Sequence, residues 1–208
     1  ENFIRADYDD SAWDNAKTRD VKLSPFWNLY PRPVSNLSEK LTPAKAVVAG
    51  GMGNAAKGFD LEHLHFAVQK EMRDLKATHM YVTETAGEFP PVENDMFSCV
   101  IADFGKVRAG YIVLDITGYG GDVVDVVYAE ELYDGKPDFD GVSYRPVSRF
   151  ILKDGENHLE TSFNYEAFRY AAIIFRNHIR KDTLNGVFIK EQYYPIENES
   201  VFETDNEK

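Results

Sequence analysis

Adjacent acidic side chains are the first feature of this sequence that could do chemistry. Glu130 and Glu131 lie at the end of an apolar run, and two carboxyl groups can act as general acid and base. On a β-strand, however, neighbouring side chains point to opposite faces, so this pair cannot act together. Glu130 either pairs with a cation such as Arg149 or Arg169, which we expect, or lies at the sheet rim near a ligand or a neighbouring domain.

A second acidic group suggests a metal. Asp134, Asp138 and Asp140 lie in a glycine-containing segment, at a spacing that suits oxygen ligands of calcium. A calcium loop usually needs a further carboxylate, so we interpret the segment as a solvated connection and keep calcium as the alternative. His63 and His65 are two residues apart on a predicted helix and point away from each other. No metal or other cofactor is therefore expected.

A glycine motif resembles the fingerprint of dinucleotide-binding proteins. Gly51, Gly53 and Ala56 follow the apolar residues 46–48 in the pattern G-x-G-x-x-A. In that fold the helix begins within the glycine run, whereas residues 58–60 interrupt the chain here. We therefore interpret the motif as a flexible, glycine-rich surface loop.

Composition limits the classes of partner. The 23 Lys and Arg residues against 35 Asp and Glu residues give a formal net charge of −12, which disfavours nucleic acids and anionic membranes but not a neutral sugar. No apolar stretch approaches the roughly 20 residues of a membrane span, so membrane insertion is not expected. Cys99 lies in the apolar run 96–101, which predicts a buried thiol and not a nucleophile.

The elements that must position these residues are mostly strands. Residues 60–75 predict one helix, capped by Asp60. Its apolar residues recur at three- and four-residue spacing, namely Leu61, Leu64, Val68, Met72 and Leu75. In residues 111–117, alternation places Ile112, Leu114 and Ile116 on one buried face. Short β-rich runs separated by turn residues predict an all-β antiparallel sandwich with one inserted helix. These runs are 44–49, 80–85, 97–103, 110–117, 123–131, 148–152, 168–175 and 188–194.

The run 103–115, the turn 118–121, the segment 127–132 and the strand Phe168-Arg169-Tyr170 carry a resemblance to a known family. In that order they resemble the concanavalin-like β-sandwich domain of bacterial α-L-rhamnosidases. Residues 8–13 are similar to the end of the family's preceding domain. The stretch from Gly50 to His79, including the helix, looks like an insertion relative to the family pattern.

The resemblance implies a domain organisation and a parent activity. Residues 1–45 would be the tail of a preceding domain plus a proline-rich linker, 46–195 the concanavalin-like or jelly-roll sandwich, and 196–208 the lead-in to a catalytic (α/α)6 barrel. The family's hydrolases remove terminal α-L-rhamnose with inversion, using carboxyl groups of the barrel. No position of this sequence matches those residues, so this chain alone is expected to be inactive.

The expected role is therefore that of a non-catalytic accessory segment that packs against the catalytic domain of the same polypeptide and contacts a rhamnose-containing glycan. The candidate carbohydrate-binding residues are Tyr128, Glu130, Tyr133 and Arg169, since aromatic faces and a few polar groups bind sugars. An independent carbohydrate-binding or adhesion module is the alternative, and a self-sufficient enzyme a third interpretation. A periplasmic or extracellular bacterial location is expected, with the cytoplasm as the alternative.

Overall fold

The computed structural model describes residues 5, 7–18, 31, 33–58, 61–89, 91–92, 95–138, 146–176, 181–195 and 203–204. The chain divides into two compact units, Glu1–Ser35 and Asn36–Lys208. Each unit is considered by itself.

The described part of the first unit contains a short turn. The Trp13 amide donates to the Asp10 carbonyl over 2.8 Å, and the Tyr8 and Trp13 rings lie 5.6 Å apart. The hydroxyl and amide of Ser11 hydrogen bond to Asp9 and lower the pKa of its carboxyl. The run of residues 8–13 thus forms a locally hydrogen-bonded turn.

The second unit is built from strands and one helix. The helix, α1, is Leu64–Asp74, preceded by a 3-10 turn at Leu61–His63. The strands are β1 Ser38–Pro43, β2 Ala46–Asn54, β3 Thr78–Val82, β4 Gly87–Phe89, β5 Met96–Gly118, β6 Val123–Ala129, β7 Glu131–Tyr133, β8 Lys136–Asp138, β9 Val147–Ile151, β10 Gly155–Glu160, β11 Glu166–Arg176 and β12 Asp182–Tyr193.

One antiparallel sheet curls into two layers because β5 takes part in both. Residues 96–103 of β5 lie between β2 and β11, which gives the first layer the order β3-β2-β5-β11-β6-β9. Residues 110–118 of β5 pair with β12 on one side and, from residue 113, with β10 on the other, and β12 also pairs with β1 and β4. The chain turns between the two parts at Gly105, where φ is 82°. The predicted all-β sandwich is confirmed.

The main core lies between the two layers. Its side chains come from alternate positions of β5, β6, β11 and β12, as expected for facing pleated sheets. Ile112, Leu114 and Ile116 are all fully buried there, which confirms the alternation predicted for residues 111–117. The largest other fully buried members are Phe104, Tyr128, Phe168, Ile173 and Phe175.

The outer face of the first layer is covered as well. Val68, Met72 and Leu75, on α1 or directly after it, pack against Phe97 and Ile174 of that face. An isolated helix of 11 residues is marginal in water, so this contact is what holds α1 in place. Burying each of the three side chains contributes about 1.5–3 kcal/mol. As a result, β6 is buried on both faces.

The helix is shorter than predicted at its N-terminus. Leu61 belongs to the 3-10 turn and is 70% exposed, so it is not part of the apolar stripe. The N-cap residue is His63, which makes no side-chain cap hydrogen bond. The predicted cap, Asp60, lies outside the described residues. The stripe at Val68, Met72 and Leu75 is as predicted.

The interpretation of the glycine-rich segment as a surface loop is wrong. These residues continue β2, in which Gly51 pairs with Cys99 and Gly53 with Phe97. A Cβ atom on Gly51 would lie 2.7 Å from the Lys76 carbonyl oxygen, and one on Gly53 would lie 2.6 Å from the Phe97 ring. Glycine is present because other chain segments approach the strand closely. The helix begins only at Leu64, so the segment lacks the geometry of a dinucleotide site.

Other differences concern strand limits. Residues 97–103 and 110–117, predicted as two strands, belong to the single strand β5, because the chain bends without ending its pairing. β1 lies in the segment 1–45 and pairs with β12 from Ser38 to Pro43. Within the described residues, no helix is both long enough and apolar enough to cross a membrane.

Candidate functional site

A tight hairpin forms one wall of the candidate site. β7 and β8 pair antiparallel, with Tyr133 opposite Lys136. The two residues between them, Asp134 and Gly135, have φ values of 49° and 71°. Two consecutive positive φ values define a type I′ turn, for which Asp-Gly is a preferred sequence. The segment predicted to be a solvated connection is therefore in part an ordered hairpin.

The hairpin is fastened to neighbouring elements. The Lys136 ammonium donates to the Arg73 carbonyl in the last turn of α1, over 2.7 Å. The turn also lies against β3, since a Cβ atom on Gly135 would come within 2.1 Å of the His79 ring. Leu132 packs on the outer cluster of the first layer. Helix, hairpin and β3 thus form one connected structure over this face.

A pocket of about 320 Å³ lies between α1 and the hairpin, and we call it the helix–hairpin pocket. Small-molecule sites have volumes of about 300–1,000 Å³, so it is large enough for a small ligand. Tyr133 is 78% exposed, whereas Met72 and Pro137 are buried apolar residues. The lining residues are Gln69, Met72, Arg73, Tyr133, Asp134, Lys136, Pro137 and Asp138.

The charges of the helix–hairpin pocket balance. Arg73 and Lys136 are cationic, and Asp134 and Asp138 are anionic. The guanidinium and ammonium groups are donors only, and ionised carboxylates are acceptors only. A hydroxyl group can satisfy both kinds, because it donates one hydrogen bond and accepts others. The pocket therefore suits a neutral polyhydroxylated ligand better than an anion.

A buried charge network supports the helix beneath the pocket. Glu71 on α1, Asp125 on β6 and Arg176 on β11 are 2%, 0% and 8% exposed. Arg176 donates to Asp125 over 2.5 Å and to Glu71 over 2.8 Å. Arg149 makes two further hydrogen bonds to Asp125, and the Ala56 amide donates to Glu71. Each buried charge therefore has charged or polar partners, as burial requires.

Of the four predicted carbohydrate-binding residues, the structure places only Tyr133 in the pocket. Tyr128 is buried between the layers, where its hydroxyl donates to Ser148 over 2.9 Å and burial raises its pKa. Glu130 is exposed in the bend between β6 and β7, at the sheet rim. Its expected cationic partners make ion pairs elsewhere: Arg149 with Asp125, and Arg169 with Asp103.

Arg169 belongs to a second polar cluster. Its guanidinium makes two hydrogen bonds to Asp103, at 2.9 and 3.0 Å, and lies 4.8 Å from the Tyr170 ring centre. Burial raises the pKa of Asp103, but the Arg169 guanidinium and the Gly105 amide outweigh it, so the pKa lies below its ordinary value. The pair joins β5 to β11 beside the bulge between Phe168 and Tyr170, which is a structural role.

Two of the three calcium candidates lie among the described residues. Asp134 and Asp138 both line the helix–hairpin pocket, whereas Asp140 lies outside the described residues. Among the side chains that the structure describes, no three His, Cys, Asp or Glu residues are grouped to hold a metal.

A buried pair of carboxyl groups lies at one end of the sandwich. Asp122 and Asp182 are 6% and 0% exposed. Burial, and then the charge and hydrogen bond of Asp122, raise the pKa of Asp182 to about 7. Raised carboxyl pKa values are frequent in catalytic sites, but this pair is closed to solvent and substrate. Burial likewise raises the pKa of the Cys99 thiol to about 12, in line with the predicted inert cysteine.

Sequence reasoning missed the helix side of the pocket. Gln69 and Arg73 lie about sixty residues before the hairpin, and their positions on α1 read as ordinary solvent-facing residues. Lys136 lies within the acidic segment 134–140, but its charge was not expected to contribute to a site. Only the packing of α1 beside β8 brings these side chains together.

These features define a class: an antiparallel concanavalin-like β-sandwich with a small pocket on its surface. Residues 97–190 match the family model of the bacterial alpha-L-rhamnosidase concanavalin-like domain. The resemblance inferred from the sequence motifs is thereby confirmed for that region. Among curated proteins, none matches this chain.

Three solved structures are similar to parts of this chain. The GH78 family rhamnosidase of Bacillus sp. GL1 has a TM-score of 0.52 and 20% identity over 62% of this chain and 14% of its own. The rhamnosidase from Klebsiella oxytoca, solved with rhamnose bound, has a TM-score of 0.46 and 13% identity over 75% of this chain and 29% of its own. An alpha-L-rhamnosidase of Dictyoglumus thermophilum has a TM-score of 0.42 and 21% identity over 53% and 12%. The chain thus spans a small part of each relative.

Proposed function

We propose that this chain is a non-catalytic accessory segment of an α-L-rhamnosidase-like glycoside hydrolase. In this proposal it packs against the catalytic domain of the same polypeptide, and it contacts the carbohydrate substrate through its surface. The observation that carries the proposal is the match of residues 97–190 to the concanavalin-like domain of bacterial α-L-rhamnosidases. The confirmed sandwich fold supports it.

The state of the described carboxyl groups supports a non-catalytic role. An inverting glycosidase needs an accessible carboxylic acid with a raised pKa opposite a carboxylate that activates water. The pKa values of Asp182 and Glu166 are raised, but these residues are only 0% and 8% exposed, which disfavours contact with a glycosidic oxygen. Asp134 and Asp138 are exposed and line the helix–hairpin pocket.

The helix–hairpin pocket supports the carbohydrate contact. An exposed tyrosine, a buried apolar base and four charged groups of opposite sign are the components that sugar rings require. Tyr133 is the residue on which this contact most depends. The proposal assigns no sugar contact to Tyr128, because the core encloses it.

The test compares the purified 208-residue chain with the full product of its gene. We expect the full product to hydrolyse a chromogenic α-L-rhamnoside and the chain alone to show no turnover at equal molarity. Turnover by the chain alone would identify a self-sufficient enzyme. A full product that hydrolyses other glycosides but no rhamnoside would contradict the substrate class.

An independent carbohydrate-binding module is a second candidate function. The observation in its favour is that all the lining residues of the helix–hairpin pocket belong to this chain. In that case the chain would bind sugar while the full gene product hydrolysed no glycoside. The same pair of assays therefore separates the two functions.

A further inference from the structure

We propose that the helix–hairpin pocket binds one terminal 6-deoxyhexose ring, of the rhamnose kind, by stacking it on Tyr133. The choice of sugar rests on the proposed function, whereas the site itself rests on the geometry of the pocket. Its task would be to hold a glycan chain beside the hydrolase.

The size of the pocket limits the ligand. A volume of about 320 Å³ lies at the lower end of the range for small-molecule sites. One pyranose ring with part of a second fits this volume, and a longer oligosaccharide would continue into solvent. The site therefore takes the end of a chain or a single side branch.

Tyr133 provides the stacking surface. It is the last residue of β7, next to the turn, and its side chain is 78% exposed at the pocket. A ring exposed to this degree presents its face to a ligand. The C–H face of a pyranose ring packs on such a surface.

The polar rim suits sugar hydroxyls. Arg73 lies on the helix side of the pocket, and Asp134 and Asp138 lie on the hairpin. A sugar hydroxyl placed between them accepts a hydrogen bond from the guanidinium and donates one to a carboxylate. A uronic acid would meet as many anionic as cationic groups in the pocket and so gain no net attraction there, while the net charge of −12 adds long-range repulsion. The ligand is therefore neutral.

The apolar base favours a deoxy sugar. Met72 is 2% exposed and Pro137 is buried, and both line the pocket. A methyl group gains from contact with these side chains, whereas a hydroxymethyl group in the same place loses hydrogen bonds to water. A 6-deoxyhexose is expected to bind more tightly than its 6-hydroxy analogue.

The experiment is an NMR titration of the isotope-labelled chain with methyl α-L-rhamnoside and, separately, with methyl α-L-mannoside, its 6-hydroxy analogue. We expect shift changes at residues 69–73 and 133–138, and severalfold weaker binding of the mannoside. Tyr133→Ala should weaken binding about tenfold, equivalent to about 1.4 kcal/mol. Tyr194→Ala, which removes an exposed tyrosine outside the pocket, should leave the affinity unchanged.

Asp134→Asn is a second variant, chosen to weaken sugar binding without disturbing the fold. Asparagine tolerates the positive φ of the turn, so the hairpin is kept while one acceptor charge is lost. Its spectrum should match that of the native chain, and its affinity should fall severalfold. Unchanged affinity in both pocket variants, or no pocket shifts at about 50 mM rhamnoside, would overturn the proposal.

The two proposals fail in different ways. Loss of binding at the pocket, with rhamnosidase activity intact in the full gene product, would remove the sugar site and leave the accessory role. Binding at the pocket without any rhamnosidase activity would keep the site and remove the accessory role.

Discussion

The guanidinium of Arg176 on β11 donates to both carboxylate oxygens of Glu71 on α1. The same guanidinium also donates to Asp125 on β6, so one arginine joins the helix to two strands of the first layer. This contact orients the helix that forms one side of the helix–hairpin pocket. Removing one partner of this buried ion pair is expected to lower the free energy of unfolding strongly.

Glu71→Ala is expected to lower the free energy of unfolding by about 3–5 kcal/mol, because it leaves the Arg176 charge buried without its main partner. The double variant Glu71→Leu with Arg176→Met should lose much less, since buried ion pairs are often replaceable by apolar residues of similar size. Urea unfolding at neutral pH measures both.

The matched control for Glu71→Ala is Asp95→Ala. Asp95 pairs with Lys57 over 2.7 Å, with side chains 68% and 73% exposed, and such surface pairs contribute at most about 1 kcal/mol. Equal losses for Glu71→Ala and Asp95→Ala would show that the buried network does not hold the helix.

The Asp122–Asp182 pair predicts a pH-dependent stability. The pKa of Asp182 is raised to about 7 in the folded chain and is about 4 when the chain is unfolded. Between these values the folded state binds more protons, so its stability falls as pH rises from about 4 to about 7, by at most about 4 kcal/mol. Asp182→Asn keeps a donor to Asp122 and should lack this decrease.

Chemical unfolding of both proteins at several pH values checks this. The free energy of unfolding of Asp182→Asn minus that of the native chain should increase as the pH rises to about 7, and should then stay constant. Glu156→Gln, which neutralises an exposed carboxylate on β10, should run parallel to the native chain. A native curve parallel to that of Asp182→Asn would contradict the shared proton.

The hairpin turn provides a third prediction. Gly135→Ala should destabilise the hairpin for two reasons: its φ of 71° disfavours any side chain, and the new Cβ atom would collide with the His79 ring. Gly155→Ala has a similar φ of 86° and nothing within 4 Å, so it measures the backbone effect alone.

The difference between these two variants isolates the contact with His79. We expect Gly135→Ala to be the worse by about 1–3 kcal/mol, and His79→Ala in the same chain to restore part of the loss. Thermal unfolding and amide hydrogen exchange of β7 and β8 measure this. No rescue by His79→Ala would mean that the turn and β3 do not touch as described.

Cys99 is a reporter of unfolding. Its side chain is buried and its pKa is raised to about 12, so the native chain should resist alkylation by iodoacetamide at pH 8. Labelling in increasing urea should follow the global unfolding curve. Rapid labelling of the native chain would show that β2 and α1 open from the first layer on their own.

Local features of the sequence were sufficient for much of the fold. Strict alternation in residues 111–117 predicted a buried face because the side-chain period of a strand is two. The three- and four-residue spacing of Val68, Met72 and Leu75 predicted the helix, because side chains at this spacing lie on one helix face. The ordered motifs between residues 103 and 170 indicated the resemblance to the family whose model matches residues 97–190.

The tertiary structure decided what depends on residues far apart in the chain. The sequence pattern at Gly51 and Gly53 predicted a loop. In the structure both glycines belong to a strand, and the close approach of Lys76 and Phe97 explains them. Tyr128 was predicted to contact a sugar ring, but the opposite layer covers it. Arg149 and Arg169 pair with aspartates on other strands and not with Glu130. The helix–hairpin pocket joins residues 69–73 to residues 133–138. A sequence pattern shows which face a side chain occupies, but only packing determines what lies against that face.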